Sequence, residues 1–174
     1  MRMIRISGIM LLWLFSSCLV HAQTDQYRKT MLSLCDALLP TQLNEPASPN
    51  YGALVCPSVN PENHPLHSRA AEAVYPFAVA WKVTGMPKYH DAAIKLGNWL
   101  ISLQETTGKK AGGWSEIWPD PQQKGWFGTT TDQLISLAGA YPILKPFLSP
   151  AEIEKWNSSM LKAADFVMQN FPVK

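Results

Sequence analysis

The chain has 174 residues, with fifteen Lys and Arg against thirteen Asp and Glu, and only 16% of its residues are charged. No cluster of basic residues occurs, which excludes a nucleic-acid footprint; Lys109-Lys110 reads as a solvated loop pair. Three cysteines without CxxC or Cys/His spacing exclude a disulfide framework and a Cys-based metal module.

Arg2 and Arg5 precede an apolar run, and Val20-His21-Ala22 places small residues at the cleavage subsites. This is the pattern of a secretory signal peptide over residues 1–22. It is too short and wrongly flanked for a spanning helix, which needs about 20 apolar residues. Residues 23–174 are therefore expected to be exported to the periplasm or beyond, free of the membrane after cleavage. Cys18 follows Ser16-Ser17 and admits a lipoprotein anchor, against which Phe15 argues. Without Arg2 and Arg5 the chain has thirteen basic and thirteen acidic residues and is neutral. Cys35 and Cys56 remain, as one bridge or as two buried thiols.

Apolar residues recur at helical spacing and no segment alternates as a strand does, so the predicted fold is all-α with about five helices. The first helix runs from Asp25 to Leu39, with Tyr27, Met31, Leu34, Cys35 and Leu38 on one stripe, and Pro40 ends it. Residues 41–66 form a long loop rich in Pro and Asn, and a loop of that length is more often functional than idle. The second helix is expected over 67–84, with Trp81 inward and Gly85 as its cap. The third runs from Pro87 to Glu105, with Pro87 suited to its first turn. A second long loop, GKKAGGWSEIWPDPQQKGWFG, precedes a fourth helix that starts near 129–132 and ends at Leu144. Ser149-Pro150 is a cap-plus-first-turn pair, and the fifth helix extends from there to Phe171.

The chain repeats itself. Tyr75-Pro76 recurs as Tyr141-Pro142, 66 residues on, and KLGNWL at 95–100 recurs as KAADFV at 162–167, offset by 67. Two matches at nearly one spacing predict a helical hairpin used twice, a unit that buries its faces against its neighbours. Proline donates no hydrogen bond, so the Glu72 carbonyl loses its helical partner and the second helix is expected to bend. Both long loops precede the same type of helix and are expected to reach one common mouth.

A chain of helical hairpins with polar, Trp-rich loops, and the stretch YGALVCPSVNPENHPLHSRAAEAVYPFAVAWKVTG followed by a GW-rich loop, resembles the amino-terminal part of bacterial (α/α) toroid enzymes. These include polysaccharide lyases and unsaturated glucuronyl hydrolases, and the likeness covers residues 50–170. It implies an incomplete toroid, since six hairpins at this period need about 400 residues, and a chain truncated at its C-terminus. It also implies a polysaccharide or oligosaccharide partner and no cofactor.

A lyase removes the proton beside a uronate carboxylate while cationic or amide groups hold that carboxylate against the second developing charge. His67 or His64 could be the base. Arg69 could hold the carboxylate in a bidentate pair, with Asn60 or Asn63 as a neutral donor. The plainer reading pairs Arg69 with Glu72, three residues on. His64 and His67 lack an evident third ligand, so no metal is expected. Trp114, Trp118 and Trp126 offer flat faces for sugar rings, with Glu116 and Asp120 to accept from hydroxyls, although at least one tryptophan is expected to roof the core. Asp132 is a further polar contact or a cap of the fourth helix. The first alternative is a glycoside hydrolase using Glu116, Asp120 or Asp132; the second is a truncated, non-catalytic glycan-binding module.

Overall fold

A computed structural model describes residues 24–55, 66–118 and 125–171. The expected signal peptide, Cys56, Asn60, Asn63, His64 and Asp120 lie outside the described residues. The fold is all-α: α1 over residues 24–38, α2 over Val74–Thr84, α3 over Pro87–Ser102, α4 over Phe127–Leu144 and α5 over Pro150–Asn170. No helix among the described residues is long and apolar enough to cross a membrane.

The chain divides after Leu34 into two compact units. In the first, residues 24–34 are helical and Thr30 Oγ1 donates to the Gln26 carbonyl. The predicted α1 stripe is displaced: Tyr27 and Leu34 are exposed, whereas Met31, Leu32, Cys35, Leu38 and Leu39 are half-buried or buried. The true stripe centres on Cys35, and Tyr27 and Leu34 fall to its side. Cys35 carries a free, buried thiol, and burial pushes its pKa up.

The second unit begins at Cys35. In it α2 packs on α3 and α4, and α4 packs on α5. Local signals set the helix ends. Gly85 adopts φ +68°, a left-handed conformation that glycine enters without a Cβ clash, and its N–H caps the Trp81 carbonyl. Ser149 and Glu152 form a capping box: the Glu152 N–H donates to Ser149 Oγ at 3.3 Å, and the Ser149 N–H donates to Glu152 Oε2 at 2.9 Å. The Ser149 hydroxyl, which donates to Glu152 Oε2 at 2.7 Å, and after it the Ser149 N–H hold the Glu152 carboxyl below the usual carboxylate range. Trp99 and Trp156 are core residues, as their helical positions predict, but Trp81 is only half-buried and meets Phe147 and His90 edge-on or tilted.

The helix predicted over 67–84 is two elements. Ser68–Ala73 is a 3-10 turn and the α-helix starts at Val74. Pro76 cannot donate to the Glu72 carbonyl, so the α ladder has no bond to propagate upstream. The hydroxyl of Ser136, on α4, replaces the missing donor. It donates to the Glu72 carbonyl at 2.7 Å and accepts from the Tyr75 N–H at 3.3 Å. The fourth helix starts at Phe127, earlier than expected, because Trp126 rather than Asp132 holds the N-cap position.

The repeated unit is visible in matched hydrogen bonds. Gln42 Nε2 donates to the Gly52 and Ala92 carbonyls, and Gln104 Nε2 donates to the Gly112 and Ser159 carbonyls. The backbone copies itself too. Leu43 exchanges bonds with Gly52 and Ala53 as Glu105 does with Gly112 and Gly113. Gly52 and Gly112 have φ of +91° and +89°, and a Cβ on either would stand 2.3 Å from a carbonyl oxygen, of Lys95 or Lys162 respectively. Lys95 and Lys162 are the leading residues of the KLGNWL and KAADFV segments. Tyr89 OH donates to Asp36 Oδ1 at 2.8 Å, and Trp156 Nε1 donates to Asn98 Oδ1 at 2.8 Å at the matching place. Thus α1, α3 and α5 occupy one role, and α2 and α4 another.

Candidate functional site

The long loops meet where the end of the first runs beside the middle of the second. Leu66–His67 forms β1 and Ile117–Trp118 forms β2, paired antiparallel with Leu66 opposite Trp118 and His67 opposite Ile117. Ser68 fastens this junction. Its N–H donates to the Glu116 carbonyl at 2.8 Å, and its Oγ donates to the Ser115 carbonyl at 2.5 Å. Its own carbonyl accepts from Gln133 Nε2, on α4, at 2.6 Å. Ser68 and Gln133 are both buried, so these bonds lie where an unmet polar group is costly. They tie the end of one loop, the middle of the other and α4 into one piece.

His67 and Arg69 flank this anchor. His67 Nδ1 accepts from the Arg69 backbone N–H at 3.3 Å, and Nε2 stands 3.4 Å from Glu116 Oε1. An acceptor at Nδ1 puts the proton of the neutral ring on Nε2, directed at the Glu116 carboxylate. His67 therefore differs from a base with an open lone pair: to take a proton it must first release the Arg69 N–H. Glu116, whose side chain is half-exposed, stands on the Nε2 side of the ring.

Arg69 pairs with Glu72 at 3.1 Å through Nε and with Asp132 at 3.4 Å through a terminal nitrogen. The Glu72 hydrogen bond, chiefly, and the charges of Asp132 and Glu116 hold the guanidinium above its ordinary pKa. One cation thus stands among three carboxylates, and the Arg69–Glu72 pair is the i,i+3 contact that the spacing allows. Asp132 lies within α4, where it meets Arg69 and caps nothing.

The tryptophans separate. Trp114 is 0% exposed and its indole N–H donates to the Leu100 carbonyl at 2.9 Å. It cannot stack on a sugar, and its expected role there is corrected to a core one: the loop turns inward at Gly112 and Gly113 and delivers the ring onto α3. Trp126 is 54% exposed. Its ring lies over Gly128, where an added Cβ would come within 2.9 Å of it, and its backbone N–H donates to the Trp114 carbonyl. His67 thus meets Glu116, and Arg69 meets Asp132 on α4, the helix whose N-cap is the exposed Trp126. The side chain of Trp118 lies outside the described residues, together with Asn60, Asn63, His64 and Asp120.

Among the described residues no group of three or more His, Cys, Asp and Glu side chains could hold a metal ion. The residues that sequence reasoning missed are Ser68, Gln133 and Ser136. Ser68 follows His67 at a helix start and could have been read as a cap; nothing local marks the other two.

Comparison with known proteins gives this arrangement a context. The profile of the family described as "Ulvan lyase N-terminal domain" matches residues 31–174. The chain is 30% identical over 140 residues to the broad-specificity ulvan lyase of Formosa agariphila, an alignment that covers 80% of this chain and 20% of the relative. The chain thus spans about a fifth of the length of that curated relative. No solved structure matches it. A profile match over most of the chain shows the family: the chain belongs to the ulvan lyase N-terminal domain family.

Proposed function

We propose that the chain is the N-terminal helical part, in the manner of an (α/α) toroid, of an exported lyase that cleaves ulvan by β-elimination at a uronate residue. One observation supports this above the rest: in a member of this family, pairing of the two long loops sets an imidazole against Glu116, next to a guanidinium that meets Asp132 on α4, the helix whose N-cap is the exposed Trp126. In this reading Trp126 stacks on a sugar ring. Arg69 exchanges Asp132 or Glu72 for the substrate carboxylate, a geometry a guanidinium favours. His67 releases the Arg69 N–H and takes the carbon-bound proton at Nδ1, while Glu116 stabilises the charged ring through Nε2. The electrons left on carbon form the double bond as the glycosidic oxygen departs and takes a proton from solvent. Asn60, Asn63, His64, Trp118 and Asp120, on the same two loops, complete the contacts.

The test is incubation with ulvan. Elimination leaves a conjugated double bond that absorbs in the near ultraviolet, and hydrolysis leaves none. Growth of that absorbance with the intact protein, abolished in His67→Ala and slowed in Arg69→Ala, is the expected result. Intact protein that releases oligosaccharides without it, or His67→Ala at full rate, would refute the reading. A second reading has its own observation: the charge on Arg69 is already matched by Glu72 and Asp132. On that view the 174-residue chain retains ulvan without turnover, and Trp126→Ala abolishes retention.

A further inference from the structure

The three helices of one role are not equally covered. Asp36 on α1 accepts from Tyr89 and Lys88, and Asn98 on α3 accepts from Trp156. The matching position on α5 is Asp165, which is exposed and has no partner among the described residues. The apolar positions behave alike. Ile101 on α3 is 7% exposed and Leu100 is 0%, whereas their counterparts on α5, Met168 and Val167, are 76% exposed and half-buried. Leu161 on α5 is also exposed.

The junctions differ in a way that specifies what fits. Where the partner aromatic is Trp156, α3 carries Gly97, and a Cβ there would stand 2.4 Å from the indole. Where the partner is Tyr89, α1 carries Cys35, whose side chain is buried. The matching residue on α5 is Ala164. It has a Cβ, so it suits a phenol and obstructs an indole. An Asp at the next position is also the acceptor that faces Lys88-Tyr89, whereas an Asn faces Trp156.

We infer that the outer face of α5 is the docking surface for one further α–α hairpin of this same repeat, whose second helix presents a Lys-Tyr pair to Asp165. Phe171 takes the place of Gln42 and Gln104 and packs edge-on against Phe127, so this junction rests on Asp165 and the apolar stripe. The relative in Formosa agariphila, aligned over only 20% of its length, has ample sequence for such units. The inference concerns packing alone and stands whatever the substrate.

The experiment supplies the hairpin in cis. Residues 43–104, which carry Lys88-Tyr89, are appended after Phe171 of the whole chain; a second protein carries residues 105–171, with Trp156, instead. The first should unfold in one transition with a larger urea m-value than the 174-residue chain, since m follows the surface buried. Asp165→Ala should lower its Tm by roughly 2–4 °C and leave the 174-residue chain unchanged. The second protein should dock its appended hairpin only when Ala164→Gly makes room for the indole. An appended hairpin that stays unfolded or melts separately, equal effects of Asp165→Ala with and without the hairpin, or no gain from Ala164→Gly would each overturn the inference.

Discussion

Substituting Ser136 by Ala removes one hydroxyl and leaves two backbone groups without partners. The Glu72 carbonyl loses its donor at 2.7 Å, and the Tyr75 N–H loses its acceptor at 3.3 Å. Ser136 is 5% exposed, so water does not readily replace the hydroxyl. A net hydrogen bond contributes about 1 kcal/mol, and a buried group left unmet costs about 1–3 kcal/mol. The shorter bond dominates, and the expected loss is roughly 2–3 kcal/mol. In a chain of this size that is a fall in Tm of roughly 4–12 °C, read by thermal or urea unfolding followed by circular dichroism. The cause can be isolated with Pro76→Ala. That change restores an N–H able to donate to Glu72 from within the helix, so Ser136→Ala should cost about 1 kcal/mol less in the Pro76→Ala background. Equal costs in both backgrounds, or a cost below about 0.5 kcal/mol, the range of an ordinary surface substitution, would show that Ser136 does not substitute for the bond that Pro76 removes.

Gly112→Ala places a Cβ 2.3 Å from the Lys162 carbonyl oxygen at φ +89° and should destabilise by roughly 3 kcal/mol or more. Gly85→Ala, also left-handed but with nothing within 4 Å, should cost about 1–2 kcal/mol; similar midpoints for the two would contradict the packing argument. Glu152 is held below its ordinary pKa by Ser149, so its contribution is present above the unfolded-state pKa and is lost as pH falls through the lower folded value. Ser149→Ala should therefore cost about 1 kcal/mol at neutral pH and progressively less in urea titrations carried below that window. Trp114→Ala should lose roughly 3–5 kcal/mol of stability, while Trp126→Ala leaves the urea midpoint nearly unchanged.

The helices were legible wherever a local cause sets them. Gly85, Pro87 and Ser149-Pro150 act within one turn of the boundary they mark, and the 3.6-residue period of α3 needs no partner to be seen. The Tyr-Pro pair and the KLGNWL segment announced the repeat because they lie within helices, where spacing is rigid. The stripe of α1 was misplaced because Tyr27 and Leu34 keep helical spacing with Met31 and Leu38, and periodicity alone cannot say which flank of an apolar face is covered. The 3-10 start of the second helix escaped because its cause is distributed: Pro76 removes a bond, and Ser136, sixty residues on (76 to 136), supplies the substitute. At the site, Arg69–Glu72 was readable as an i,i+3 contact, whereas Asp132 meets Arg69 across two helices. Trp114 and Trp126 share a loop and a residue type; only the inward turn at Gly112-Gly113 separates a core ring from an exposed one.

Gln42 and Gln104 carried a signal that was available and weak. Each amide reaches the carbonyl of a left-handed glycine and the carbonyl of a helix fifty or more residues ahead. One side chain thereby fixes where its loop leaves the preceding helix and which helix it passes. Because both bonds go to backbone oxygens, they constrain the path of the chain and leave the sequence of the loop beyond the glycine free. The first loop can then end in His67-Ser68-Arg69 and the second can place Glu116 and Trp126, with no common sequence between them. Their meeting follows from the anchors: two loops started at equivalent points, one leading to α2 and the other to α4, come side by side when those helices pack, as they do. The pairing of β1 with β2 and the contacts of Arg69 with Asp132 and of His67 with Glu116 are consequences of the repeat, and exchanging Gln104 for Leu should loosen Glu116 from His67 although it touches neither.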